Sequence, residues 1–248
     1  MDINVNSFNI DSFNYNVSRP SYPKDIFSFL SQKVNKRETA WDCACGTGQV
    51  AISLVNCFSV VYATDINENQ IRNRIDHERI NYSVQKSEHT KYKDNFFDLI
   101  CVAQALHWFD TDKFFREVNR VLKPDGVFAC WGYGFFKINS EIDKIIDDVF
   151  LKPIFPYWSD RNHILWNKYR DIIFPFIEIE SPAFEMSVNW TKEKLFDYLT
   201  TWSAYKRFVN ENNQDLKETY FNHLKKVWPD DVKKKISMEF VFYSGRKR

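Results

Sequence analysis

Trp41-Asp42-Cys43-Ala44-Cys45-Gly46-Thr47-Gly48 joins an apolar strand start to an acidic residue and a glycine-rich bend, and the apolar helical pattern Gln49–Cys57 follows at once. No other stretch constrains the fold as much, because strand, glycine turn and helix in that order open a parallel α/β sheet with a nucleotide-type site. Gly46 and Gly48 allow positive φ and let the backbone approach a ligand. The helix start beyond them offers unpaired N–H groups. Gly46-Thr47-Gly48-Gln49-Val50-Ala51 also satisfies the dinucleotide pattern G-x-G-x-x-G/A, so these six residues leave NAD and another adenosine ligand both open.

From Thr39 onward, strand and helix patterns alternate. Strands are predicted at Thr39–Asp42, Ser59–Thr64, Ile80–Gln85, Phe97–Ala103 and Val127–Trp131, and helices at Gln49–Cys57, Glu68–Asp76 and Thr111–Leu122. Such alternation predicts a doubly wound, mostly parallel sheet with helices on both faces. Lys123-Pro124-Asp125-Gly126 is a turn signal before the fifth strand. Aromatic-rich helical patterns at Ile138–Leu151 and His163–Phe174 then predict an inserted helical cap. Phe184–Val188 and Ile236–Tyr243 return to strand patterning and complete seven strands. The chain thus divides into an N-terminal lid segment (1–38), a core (39–134), a cap region with a late strand (135–205), and a C-terminal helix with the last strand (206–248), all in one domain of 248 residues.

Lys plus Arg total 34 against 33 for Asp plus Glu, so no global field favours nucleic acid or an anionic membrane. No apolar run reaches the ~18 residues of a membrane span. Cys43, Cys45, Cys57, Cys101 and Cys130 are odd in number, lie mostly in apolar patterns, and read as reduced core thiols of a cytoplasmic protein. Cys43-Ala44-Cys45 is too tightly spaced for a zinc knuckle, and no metal site is expected.

The block Asp42-x-x-Cys45-Gly46-x-Gly48 resembles the first motif of class I S-adenosylmethionine-dependent methyltransferases, which share a Rossmann-like sheet. An acid beneath the turn suits a ligand that carries an ammonium and a sulfonium but no pyrophosphate. Ser18-Arg19-Pro20-Ser21-Tyr22-Pro23, the run Gln104-Ala105-Leu106-His107-Trp108-Phe109, Trp131-Gly132-Tyr133-Gly134 and Leu199–Ala204 together look like the trans-aconitate methyltransferase-like subfamily (methyltransferase type 11), over nearly the whole chain. The resemblance implies S-adenosylmethionine as cofactor, its homocysteine form as product, and a small-molecule methyl acceptor.

The resemblance assigns cofactor contacts to Asp42, Cys43, Ala44, Gly46 and Gly48 in the turn, and to Gln104 and Ala105 after the fourth strand. Asp65 ends the second strand about twenty residues past the turn, where a carboxylate accepts ribose hydroxyls; Ile66 follows it, and a helix N-cap is the other reading of Asp65. Ser87-Glu88 matches a pair beside the adenine, although Lys86 stands where many relatives have Asp. Tyr15 and Arg19 occupy the family's Y-x-x-x-R-P positions, which implies that Tyr15–Pro23 closes over the cofactor with Arg19 on its carboxylate.

Methyl transfer is an in-line displacement in which positioning and water exclusion supply most of the acceleration. A carboxylate acceptor is ionised at neutral pH and needs no base, whereas a phenol, thiol or amine would use His107, the candidate catalytic residue. Trp108, Trp131, Tyr133 and Trp202 are the candidate acceptor-pocket residues. O-methylation of a carboxylate is the leading reading. N- or S-methylation and a non-catalytic cofactor-binding partner remain as alternatives, and an NAD oxidoreductase leaves Asp42-x-x-Cys45 unexplained.

Overall fold

The computed structural model describes residues 19–248, so Tyr15 lies outside the described residues. Its first helix, α1 (Lys24–Lys33), leads into β1 (Thr39–Cys43), α2 (Gln49–Leu54), β2 (Val60–Asp65), α3 (Glu68–Arg72), β3 (Ile80–Val84), β4 (Phe97–Ala103), α4 (Thr111–Val121) and β5 (Leu122–Lys137). Then come α5 (Ser140–Ile146), α6 (Asn162–Trp166), β6 (Ile177–Glu178), β7 (Met186–Trp190), α7 (Lys192–Thr200), α8 (Ser203–Asn212), α9 (Lys217–Leu224) and β8 (Lys234–Arg246). The sheet runs β3-β2-β1-β4-β5-β8-β6, with β7 pairing the start of β8. Strands β1 to β5 are parallel and β8 is antiparallel to its neighbours.

The strand order reverses between β1 and β4, and the crevice at their carboxyl ends is where open α/β sheets bind ligands. Central strands need apolar residues on both faces, and β4 buries Phe97 through Val102 without alternation. On one face Ile26, Phe27 and Leu30 of α1 pack against Trp131 and Val61. On the other, Phe114, Phe115, Val118 and Val121 form the apolar stripe of α4 and meet Phe128 and Ile100. Asp110 caps α4 by accepting from the Lys113 N–H at 3.2 Å. Away from the crevice, the buried Asp98 carboxylate accepts from the backbone of Glu38 and Thr39 and from Lys123 Nζ at 2.8 Å, tying β1, β4 and β5 together.

Four expectations change in detail. Among the described residues the sheet has eight strands, because the two-residue β6 is too short to show as a pattern. β5 starts at Leu122, and the Lys123–Gly126 turn is an irregularity within it, with Asp125 at φ 61. The late strand is Met186–Trp190 rather than Phe184–Val188. The helix expected over His163–Phe174 is confined to Asn162–Trp166, because Lys168 and Tyr169 take left-handed φ of 56 and 59 and break it. The cap has its own core, in which Phe150 stacks on Tyr205 at 5.2 Å and Phe196 packs on Tyr220 at 5.0 Å. Among the described residues no helix is long and apolar enough to cross a membrane.

Candidate active site

Three left-handed residues shape the bend after β1: Ala44 (φ 56), Gly46 (φ 57) and Gly48 (φ 96). The bend folds back on β2 through the Cys45 N–H, which donates to the Thr64 carbonyl at 2.9 Å. Asp42 points under it and accepts the Ala51 N–H at 2.8 Å, clamping β1 to α2. Asp65, at the end of β2, accepts the Gly46 N–H at 2.9 Å with one oxygen and the Asn67 N–H at 2.8 Å with the other. Asp65 therefore holds the glycine turn as well as facing the crevice.

The crevice is acidic. Asp42, Asp65 and Glu88 line it together with Ala44, Gly46, Ile66, Ser87, Gln104 and Ala105, and Arg19 is the basic side chain in its wall among the described residues. Asp42 is 1% exposed, and burial, with the Asp65 charge adding to it, pushes its carboxyl up to about 8. Burial raises Asp65 as well, against the N–H groups of Asn67 and Gly46.

A second pocket adjoins the first across a wall of Arg19, Gln104 and Trp108, which line both. Gln104 (φ 57) prolongs the sheet: its N–H donates to the Trp131 carbonyl, its Nε2 to the Tyr133 carbonyl, and its Oε1 accepts the Tyr133 N–H, each at 2.8 Å. Gly132 must lack a side chain here, since a Cβ would stand 2.6 Å from Leu165 Cδ1 and 2.9 Å from Gln104 Oε1. Trp158 packs on Trp166 and Trp202 at 5.5 and 5.3 Å, forming an aromatic wall. His107 lines this pocket at 2% exposure, and burial, helped by the Arg161 charge, lowers its pKa to about 3.

Sequence and structure part at three site residues. Trp131, expected in the acceptor pocket, lines neither pocket; it is fully buried between Phe27, Tyr22 and Phe242, because the inward face of a central strand supplies core. Cys43 is likewise buried, in the core under α4, and does not line the crevice. Gly48 is not in the crevice lining: a Cβ there would stand 2.0 Å from the Tyr82 hydroxyl, so its bareness serves packing. Trp108, Tyr133 and Trp202 do line the second pocket. Asn162 and Lys206 line it too, yet neither stands in a motif, and only the folding of the cap brings them there.

A doubly wound sheet with a glycine turn and buried acids at its switch point defines an α/β protein built for a nucleoside-type cofactor. A family model described as a methyltransferase domain matches residues 41–130. A solved structure from Anaeromyxobacter dehalogenans, provisionally named a type II methyltransferase, is 32% identical, with 92% of this chain and 97% of that chain covered and a TM-score of 0.84. A protein of Dictyostelium discoideum provisionally named a methyltransferase is 27% identical over 240 residues, 94% of this chain and 90% of its own. One from Saccharomyces cerevisiae, provisionally named an S-adenosylmethionine-dependent methyltransferase, is 23% identical, with 97% of each chain covered. The chain belongs to the class I S-adenosylmethionine-dependent methyltransferases.

The crevice fits that cofactor. Two buried acids suit a ligand that carries an ammonium and a sulfonium, and the space over Gly46, where a Cβ would find only Gln70 Oε1 at 3.7 Å, suits close approach to the backbone. One pH dependence follows. A carboxyl raised in the folded state binds its proton more tightly folded than unfolded, so without ligand it removes stability as pH rises from its unfolded value near 4 toward about 8. The melting temperature of the ligand-free protein is therefore expected to fall between pH 5 and 8 on account of Asp42, and Asp42→Asn should flatten the slope in scanning fluorimetry. An unchanged slope in Asp42→Asn would contradict the assignment.

Proposed function

We propose that this protein transfers the methyl group of S-adenosylmethionine to a carboxylate oxygen of a small-molecule acid, in the cytoplasm, as the resemblance to trans-aconitate methyltransferase-like enzymes implies. The observation that carries this reading is a change of sign across the shared wall. The cofactor crevice is lined by three acids, whereas the charged side chains lining the second pocket are Arg19 and Lys206, with no Asp or Glu among the described residues. A cationic cofactor and an anionic acceptor are matched by that division.

When bound, the cofactor supplies an electrophilic methyl on a positive sulfur. The protein's own tasks are then orientation and dryness. Asp65 takes the ribose hydroxyls, Ser87 and Glu88 flank the adenine, and Arg19 stands where the two ligands meet. Lys206 binds and orients the acceptor carboxylate, Arg19 meets the cofactor's own carboxylate at the shared wall, and the tryptophan wall excludes water. A carboxylate is already ionised at neutral pH, and a histidine held at about 3 is a poor base there, so His107 contributes as a neutral hydrogen-bonding group. Both facts favour an acid over a phenol or an amine.

The test is transfer of labelled methyl across matched carboxylic acids, phenols, amines and thiols. Base-labile methyl ester product is expected from acids. Lys206→Met is expected to raise KM for the acid about tenfold while leaving affinity for S-adenosylhomocysteine unchanged, as loss of one charged contact implies. Turnover of amines or thiols in preference to acids would defeat the proposal.

A further inference from the structure

Two polar side chains in the second pocket carry atoms whose partner has not been named. His107 is 2% exposed and Asn162 is 7% exposed, and both line the pocket. His107 Nδ1 and Asn162 Oδ1 have no hydrogen-bond partner among the described residues. Their placement is firm: Asn162 opens α6, which packs on the Leu106–Trp108 turn. Arg161, next in the chain, reaches from α6 to the His107 and Phe109 carbonyls at 3.5 and 3.2 Å. A buried polar atom left unmatched is costly, and two of them on residues that line one pocket, carried by elements that pack on each other, point to a ligand group that satisfies both.

The chemistry of the pair selects that group. Asn162 Oδ1 only accepts, so a carboxylate would face it lone pair to lone pair. An ammonium would satisfy Oδ1 but would meet the positive charges of Arg19, Lys206 and Arg161 in and behind the same pocket. A hydroxyl donates to Asn162 Oδ1 and accepts from His107 Nδ1–H, and it carries no charge. We infer that His107 and Asn162 read a hydroxyl group on the methyl acceptor, so that the substrate is a hydroxy acid. This rests on the carboxylate reading for the acid and on the two unmatched atoms for the hydroxyl.

A site built to hydrogen-bond a hydroxyl rejects an analogue lacking it far more strongly than an apolar pocket rejects a methylene. The experiment is calorimetric binding, with S-adenosylhomocysteine present, of hydrocinnamate, phenyllactate and β-hydroxyhydrocinnamate, and of the three corresponding amides. At least one hydroxylated acid is expected to bind about 100-fold more tightly than hydrocinnamate. In Asn162→Leu and in His107→Phe that ratio is expected to fall toward one, whereas a merely structural role would weaken all the acids alike and keep the ratio. Absence of a hydroxyl preference in both series, weak binding included, overturns the inference, as does a preference undiminished in both variants. A hydroxyl preference in the amides with the acids excluded would uphold the hydroxyl pair and defeat the carboxylate reading. The wild-type ratios decide even if a variant fails to fold.

Discussion

Asp65→Ala is expected to weaken binding of S-adenosylhomocysteine about 100-fold in calorimetry while the ligand-free protein keeps its melting temperature within a few degrees. The carboxylate already accepts one backbone N–H on each oxygen, and each oxygen retains a lone pair for a ribose hydroxyl. Removing it deletes two charge-assisted hydrogen bonds to the ligand and the acceptor that fixes Gly46. At about 1.5–3 kcal/mol per such bond, less what water recovers, two orders of magnitude is the expected scale. Stability should change little because burial already penalises this charge in the folded protein. Unchanged affinity in a folded Asp65→Ala protein would remove Asp65 from the cofactor site. Asp65→Asn, which keeps an acceptor, should fall between the two.

The second large effect is on stability. Gly48→Ala is expected to destabilise the protein by about 3 kcal/mol or more in urea denaturation, from the strain of a side chain at φ 96 and from a Cβ that would stand 2.0 Å from the Tyr82 hydroxyl. Tyr82→Phe removes that oxygen and loses its hydrogen bond to the Ile75 carbonyl at 2.8 Å, costing about 1 kcal/mol alone. The double variant should therefore be more stable than Gly48→Ala alone, because the ring's Cζ would still be 3.0 Å away but the sharpest collision is gone. Additive losses in this cycle would mean that Gly48 answers to backbone strain or ligand rather than to Tyr82. Glycine in such a turn reads from sequence as a ligand requirement. Here a tyrosine from β3, 34 positions on, imposes it.

The core of the fold was legible wherever local chemistry is decisive. A parallel strand buried on both faces must be continuously apolar, and an exposed helix must be amphipathic, so β1, β4 and α4 appear in the sequence close to their true bounds. Asp42, the glycine bend and Asp65 are legible for a related reason: each sits at or just past a strand end, where the sheet itself dictates which way the chain turns. The cap was less legible. Helix α6 stops at Trp166 because the two residues after Asn167 take left-handed φ, which no periodicity announces.

The sequence by itself determined the class of fold, the position of its crevice and the acids that line it, because these sit at or just past the carboxyl ends of β1, β2 and β3, whose strand patterns are locally legible. The second pocket was decided only by the tertiary structure. Arg19, Gln104, Asn162 and Lys206 come from four segments up to 187 positions apart (206 − 19), and they converge because α6 packs on the turn after β4 while α8 is held in the cap core by Ala204 and Tyr205. The same packing sends Trp131, which reads as a pocket residue, into the core, and places Asn162, which reads as nothing, with an unmatched oxygen in the pocket wall. Periodicity reports which face of an element is buried, but not whether that face meets protein or ligand; only the neighbouring elements settle it.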